Sequence, residues 1–200
     1  MIKKMLERNE MANRLVDVTV EMIEENGGLQ GVNLRQIAKR ANCAHTNIYN
    51  YYQDFEDLLW DVFARIEEKW DAESLPDLDA GQPLEQVVES FTRTQIDFGL
   101  THPGWYRCLW SEPLSRKPPE QIRDARRARR DDMVKVILKA MPGLTVEEGN
   151  NLFQILFSYT HGSISLLINN RIYRSEPDEY KKKIIKNTLM IVRSLGGSHE

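Results

Sequence analysis

Apolar residues recur along this chain at helical spacing, and no stretch alternates as a strand would. Met11, Leu15, Val18 and Met22 make one buried stripe on a first helix over Asn9–Asn26, which Gly27-Gly28 ends. Asn33 is placed to cap a short helix over Leu34–Ala41, with Leu34, Ile37 and Ala38 turned inward. Asn42 tolerates a tight turn, and a second short helix over Ala44–Tyr51 carries Ile48 inward. Asp54 caps a longer helix that reaches Asp71, with Leu59, Phe63, Ile66 and Trp70 on its stripe. Glu73–Pro83 is rich in Pro, Gly and Asp and reads as a loop and boundary. Leu84, Val87, Val88, Phe91 and Phe98 mark a fifth helix, broken at His102-Pro103-Gly104. Trp105–Trp110 is a short aromatic helix, and Pro119–Ala140 a long one that Pro142-Gly143 stops. Thr145 with Glu148 predicts a capping box for a helix over Val146–Asn169. The last helix, Pro177–Leu195, has Ile184, Thr188, Ile191 and Leu195 on one stripe and Ile185, Leu189 and Val192 on its neighbour. The pattern predicts an all-α fold of about nine helices.

Two short helices around a tight turn form a helix-turn-helix, whose second helix enters the DNA major groove. Charge supports that reading. The chain as a whole carries net −3, yet Asn26–Gln53 contains no Asp or Glu. The same stretch holds Arg35, Lys39, Arg40 and His45. A surface that meets phosphates excludes carboxylates, because like charge repels along the approach. A pI near 5.9 excludes coating of nucleic acid through bulk charge and fits one binding patch. His45, Thr46, Asn47 and Asn50 face outward from Ile48 and are the candidates for base edges. Arg35, Gln36 and Lys39 are the candidates for the DNA backbone. The arm before the first helix adds Lys3, Lys4 and Arg8.

The 41% hydrophobic fraction is enough for a core over 200 residues. No apolar run has the length of a membrane span and no signal-peptide core follows the N-terminus, so no membrane partner and a cytoplasmic location are expected. Two cysteines, Cys43 and Cys108, are too few for a disulfide framework. No nucleophile–base pair, phosphate loop or metal-ligand spacing occurs, so no catalytic residue, cofactor or metal is expected. Arg126 and Arg129 fall on the face of the seventh helix that carries Ile122, Met133, Val136 and Ala140. An Arg amid an apolar stripe needs a partner: an anionic ligand, a buried ion pair, or water reached at the domain edge.

The head resembles that of TetR-family transcriptional regulators. The matching residues are Ile37-Ala38, Ala41, Ile48-Tyr49, Tyr52, Glu56 and Leu58-Leu59, against a family pattern close to IA..AGVS.GTLY.HF.SKE.LL. His102–Tyr106 and Tyr159–Gly162 resemble one group of ligand-binding domains in that family. The chain departs from the pattern in telling places. The turn Gly is Asn42, the Ser that opens the recognition helix is Ala44, and the Gly-Thr pair is Thr46-Asn47. The His before the last aromatic is Tyr51, and the Lys that opens the fourth helix is Phe55. The losses at Ala44 and Phe55 remove two phosphate contacts.

The resemblance implies a head and linking helix over residues 1–54 and 55–71, and a ligand-binding and dimerisation domain over 72–200. It implies phosphate contacts from Tyr49 and Asn33, with Tyr51 beside them in the interface. It implies a homodimer on a pseudo-palindromic double-stranded operator, and a repressor released by an unidentified small molecule. Leu152, Ile155, Leu156, Tyr159, Gly162 and Ser163, with Ile184, Thr188, Ile191 and Leu195, are the candidate dimer surface. Phe91, Phe98, Trp105, Tyr106, Trp110, Arg126, Arg129, Met133, Phe153 and Phe157 are the candidate pocket lining, against the plainer reading that the aromatic ones are core. The alternative is a small-molecule-binding protein or enzyme built on the C-terminal helices, with a vestigial head.

Overall fold

The computed structural model describes residues 10–74, 82–114, 116–173 and 175–196. The basic arm, most of the loop after α3 below, and the Leu195 side chain lie outside them. Among the described residues there are eight α-helices, one 3-10 helix and no strand. The helices are α1 Glu10–Asn26, α2 Leu34–Arg40, the 3-10 helix η1 His45–Asn50, α3 Phe55–Ser74 and α4 Leu84–Thr101. They continue with α5 Pro103–Trp110, α6 Glu120–Ala140, α7 Val146–Ile168 and α8 Pro177–Gly196. No helix among the described residues is long and apolar enough to cross a membrane.

The chain forms two compact units. The first takes the chain up to Ala72 together with His102–Ala125; the second takes Glu73–Thr101 and the chain from Arg126 onward. Residues 102–125 return to the first unit, and contacts with α1 explain it. Gly104 lies so close to α1 that a Cβ there would stand 2.4 Å from the Ile23 carbonyl oxygen. Trp105 donates its indole N–H to the Val20 carbonyl at 2.9 Å and its backbone N–H to Glu24 at 3.1 Å. Arg107 donates to the Gly27 carbonyl at 2.7 Å. Both Glu112 carboxylate oxygens accept from the Leu29 N–H, at 2.8 and 3.0 Å. The backbone groups freed where α1 ends at Gly27 and Gly28 are thus met by side chains of α5 and the segment after it.

The first unit packs α1, α2, η1 and α3 around Leu15, Ile23, Ile37, Ile48, Leu58 and Ile66, all fully buried. Burial on α1 is broader than one stripe: Ala12, Val16, Thr19, Val20 and Ile23 join Leu15, Val18 and Met22, while Met11 is only half-buried. Tyr52 is core, with its hydroxyl donating to the buried Asp61 carboxylate at 3.1 Å. In the second unit Leu84, Val88, Ile137, Leu152 and Val192 form one cluster, with Phe153, Leu156 and Ile191 packed against it. The Thr145–Glu148 capping box is present at the start of α7.

Candidate nucleic-acid interface and ligand cavity

Asn33 caps α2 by accepting from the Gln36 N–H at 3.1 Å. The other end of α2 closes in a Schellman motif. Asn42 takes φ +56°, its N–H meets the Lys39 carbonyl at 3.2 Å, and the Cys43 N–H meets Ala38 at 3.0 Å. Asparagine therefore makes the left-handed turn that glycine makes in the family pattern. The segment after the turn, expected as a short helix over Ala44–Tyr51, is a 3-10 helix over His45–Asn50. Ala44 offers no side-chain cap, which leaves the first N–H groups of this segment without that support.

Asn33, Arg35, Gln36, Lys39, Thr46, Tyr49 and Asn50 are exposed, while His45, Asn47 and Tyr51 are half-buried. Tyr49 keeps 51% of its surface, a large exposure for an aromatic residue in a packed head. The His45 ring meets it edge-on at 5.5 Å. Asn50 donates to the Asn47 side-chain oxygen at 2.8 Å. Thr46, Asn47 and Asn50 share an open hollow with Met11, Asn42, Cys43 and Ala44. Of the sequence-predicted interface residues, Thr46, Asn47 and Asn50 are thus brought together, and His45 meets Tyr49. Arg40 does not join them. It pairs with Glu25 and, at 3.2 Å, with Glu21 of α1. The hydrogen bond from Arg40 holds the Glu25 carboxyl below the usual carboxylate range. The acid-free window of the sequence is therefore bordered in space by two carboxylates from α1, which pair with Arg40, while Arg35 and Lys39 are exposed on α2.

The second unit holds a cavity of about 30 Å³. Its lining comes from Leu84, Val87, Val88, Phe91, Thr92 and Gln95 of α4, Met133, Val136 and Ile137 of α6, and Phe153, Leu156, Phe157 and Thr160 of α7. Four of the candidate pocket residues, Phe91, Met133, Phe153 and Phe157, line it. Phe98 is buried in α4 and is not among the lining residues. Trp105, Tyr106 and Trp110 belong to the first unit: Trp105 is bonded to α1, and Trp110 meets Trp70 edge-on at 6.0 Å. Arg126 and Arg129 are half-buried and neither lines the cavity. Thr160 lies in the Tyr159–Gly162 stretch singled out in the sequence; Thr92 and Gln95 went unnoticed, although they follow Val88 at i+4 and i+7 on the apolar stripe of α4.

The candidate dimer residues divide in the same way. Leu152, Ser163, Ile184 and Thr188 are buried within the unit, and Leu156 and Ile191 pack against its core. Ile155 is exposed, Gly162 has open space around it, and Tyr159 is half-buried with its hydroxyl accepting from Asn187 at 2.7 Å. Leu166 and Met190 are 45% and 55% exposed and were not singled out in the sequence.

Helix-turn-helix head and helical body together define an all-α fold that solved structures share. No family model matches the chain, and no curated protein matches it. The chain is similar to a TetR variant from Acinetobacter baumannii in complex with minocycline, with a TM-score of 0.70 and 13% identity over 97% of this chain and 99% of that one. It is similar to a TetR-family transcriptional regulator from Streptomyces coelicolor, with a TM-score of 0.70 and 13% identity over 96% and 83% of the two chains. A TetR family transcription regulator from Marinobacter aquaeolei gives a TM-score of 0.65 and 16% identity over 90% and 94%. The fold is the one these regulators have, along almost the whole chain.

Proposed function

We propose that the protein is a sequence-specific, double-stranded-DNA-binding transcriptional regulator, a cytoplasmic repressor that a small molecule releases. The observation that carries this reading is the exposed face of α2 and η1. There the turn geometry of a helix-turn-helix coincides with Arg35, Lys39 and a row of neutral donors. In this reading Lys39, Arg35 and Gln36 hold the phosphates, Tyr49 and Asn33 add hydrogen bonds to them, and Thr46, Asn47 and Asn50 reach base edges. The protein acts by binding, and no catalytic step is assigned to it.

One head spans few base pairs, so the reading requires a dimer on a pseudo-palindrome. The exposed Ile155, Leu166 and Met190, beside Ser158 and Gly162, suit close packing against a second copy of the chain. The effector occupies the second unit's cavity. It shifts the DNA-binding equilibrium only through different affinity for the bound and released arrangements of the heads.

The test is binding of a mixed-sequence duplex across a salt series. The protein should bind at low salt, and Lys39→Gln should flatten the slope of log affinity against log salt by about one unit. Tyr49→Ala should weaken binding at every salt concentration. Absence of binding by the folded protein, or slopes and affinities unchanged in both variants, would contradict the assignment.

A further inference from the structure

The chemistry of the cavity goes beyond its location. Among the described residues that line it, none carries a charge. Ten are apolar, and three are buried polar residues: Thr92, Gln95 and Thr160.

Helix directions place these three together. Glu85 pairs with Arg193 at 2.7 Å and Thr92 meets Thr188 at 3.4 Å, so α4 and α8 are antiparallel. Tyr159 meets Asn187 at 2.7 Å and Leu152 shares a cluster with Val192, so α7 and α8 are antiparallel too. Hence α4 and α7 run parallel. Leu84 and Phe153 stand at the end where both helices begin, while Gln95 and Thr160 stand further along both, at the other end. The Thr92 hydroxyl is engaged, donating to Thr188, whose own proton goes to the Ile185 carbonyl at 2.8 Å. The Gln95 amide and the Thr160 hydroxyl, in residues 4% and 5% exposed, have no hydrogen bond among the described residues. Neither group is wholly sealed from water, so the amide's donors and acceptor stay available to whatever enters.

We infer that the cavity takes an uncharged, mostly apolar molecule with one hydrogen-bonding group at one end, such as an amide, a ketone or an alcohol. Gln95 and Thr160 hold that group, and the apolar remainder runs along Val88, Phe91 and Phe153 toward Leu84. A carboxylate is rejected, because no lining cation offsets its loss of water. The inference rests on the reading of this cavity as the effector site. As it stands the cavity holds about one water, so entry requires side chains to swing aside. Met133 is unbranched and adapts readily. Phe157 lies in a stack between Phe153 and His161, at 5.9 and 5.4 Å.

The experiment is calorimetric titration of the full chain with three eight-carbon probes: octanamide, 1-octanol and octanoate. Octanamide and 1-octanol should bind, and octanoate should bind at least about tenfold more weakly. Gln95→Leu should weaken octanamide about fivefold. Thr160→Val, nearly the same shape, gives a second reading of the same contact and should also weaken octanamide. Octanoate binding as tightly as octanamide would overturn the inference. So would octanamide binding unchanged in both variants, which would leave the polar end as the seat of a buried water only. Failure of all three probes to bind the folded chain would overturn it as well. No duplex is present, so failure here and failure of the DNA-binding reading are separate results.

Discussion

Single residues divide into those whose partners lie nearby in sequence and those whose partners do not. Asn33, Asn42 and Thr145 act on backbone groups within a few residues of themselves, and their roles are legible without a structure. Arg40 and Gln95 depend on other helices, which is why the ion pairs of the first could not be read from the acid-free stretch and the second attracted no notice. The two cysteines show how much burial decides. Burial first, and Glu112 second, push the Cys108 thiol up to about 12, whereas Cys43 is half-exposed in the turn. At pH 8 the Cys108 thiolate is scarce and inaccessible. An aromatic disulfide reagent should therefore titrate one thiol per native chain and two after denaturation. Rapid labelling of both in the native protein would show that α5 does not seal Cys108.

At the scale of elements, α5 is the piece whose role differs most from its sequence pattern. An aromatic helix after a helix break suggests pocket lining, and apolar periodicity cannot say which neighbour it lines. The close approach at Gly104 and the hydrogen bonds from Trp105 and Arg107 tie it to α1. The His102 ring stacks on Trp105 at 4.1 Å, and the Lys69 ammonium stands 5.2 Å from the centroid of that ring. Gly104→Ala adds a methyl against backbone that has no room to yield. It should destabilise the protein by about 1–3 kcal/mol in urea unfolding, in line with other overpacked contacts. A change within error would mean that α5 sits on α1 more loosely than these distances imply. The 3-10 form of η1 belongs to this scale too. The sequence predicts its place and its buried Ile48, while the missing cap at Ala44 bears on which helix forms.

For the whole molecule, helix order and the all-α class were legible because each rests on local periodicity and on breakers in sequence. The return of residues 102–125 to the first unit was not, since it depends on contacts more than eighty positions apart. Which residues face the proposed dimer partner was legible only in part. Periodicity reports that α7 has two apolar faces without telling which one the chain itself covers. Leu152 and Ser163 turn inward, and Ile155, Gly162 and Leu166 are left open. Leu166→Arg should accordingly yield a folded monomer. The central claim is that two such heads read DNA together, and selection of bound sequences from a random duplex pool at near-physiological salt tests it most directly. The account predicts a pseudo-palindrome whose half-sites stand about one helical turn, or a multiple of it, apart, with no enrichment by Leu166→Arg at the same concentration. No enriched sequence from the folded wild-type protein, or an unrepeated site bound equally well by the monomeric variant, would contradict it.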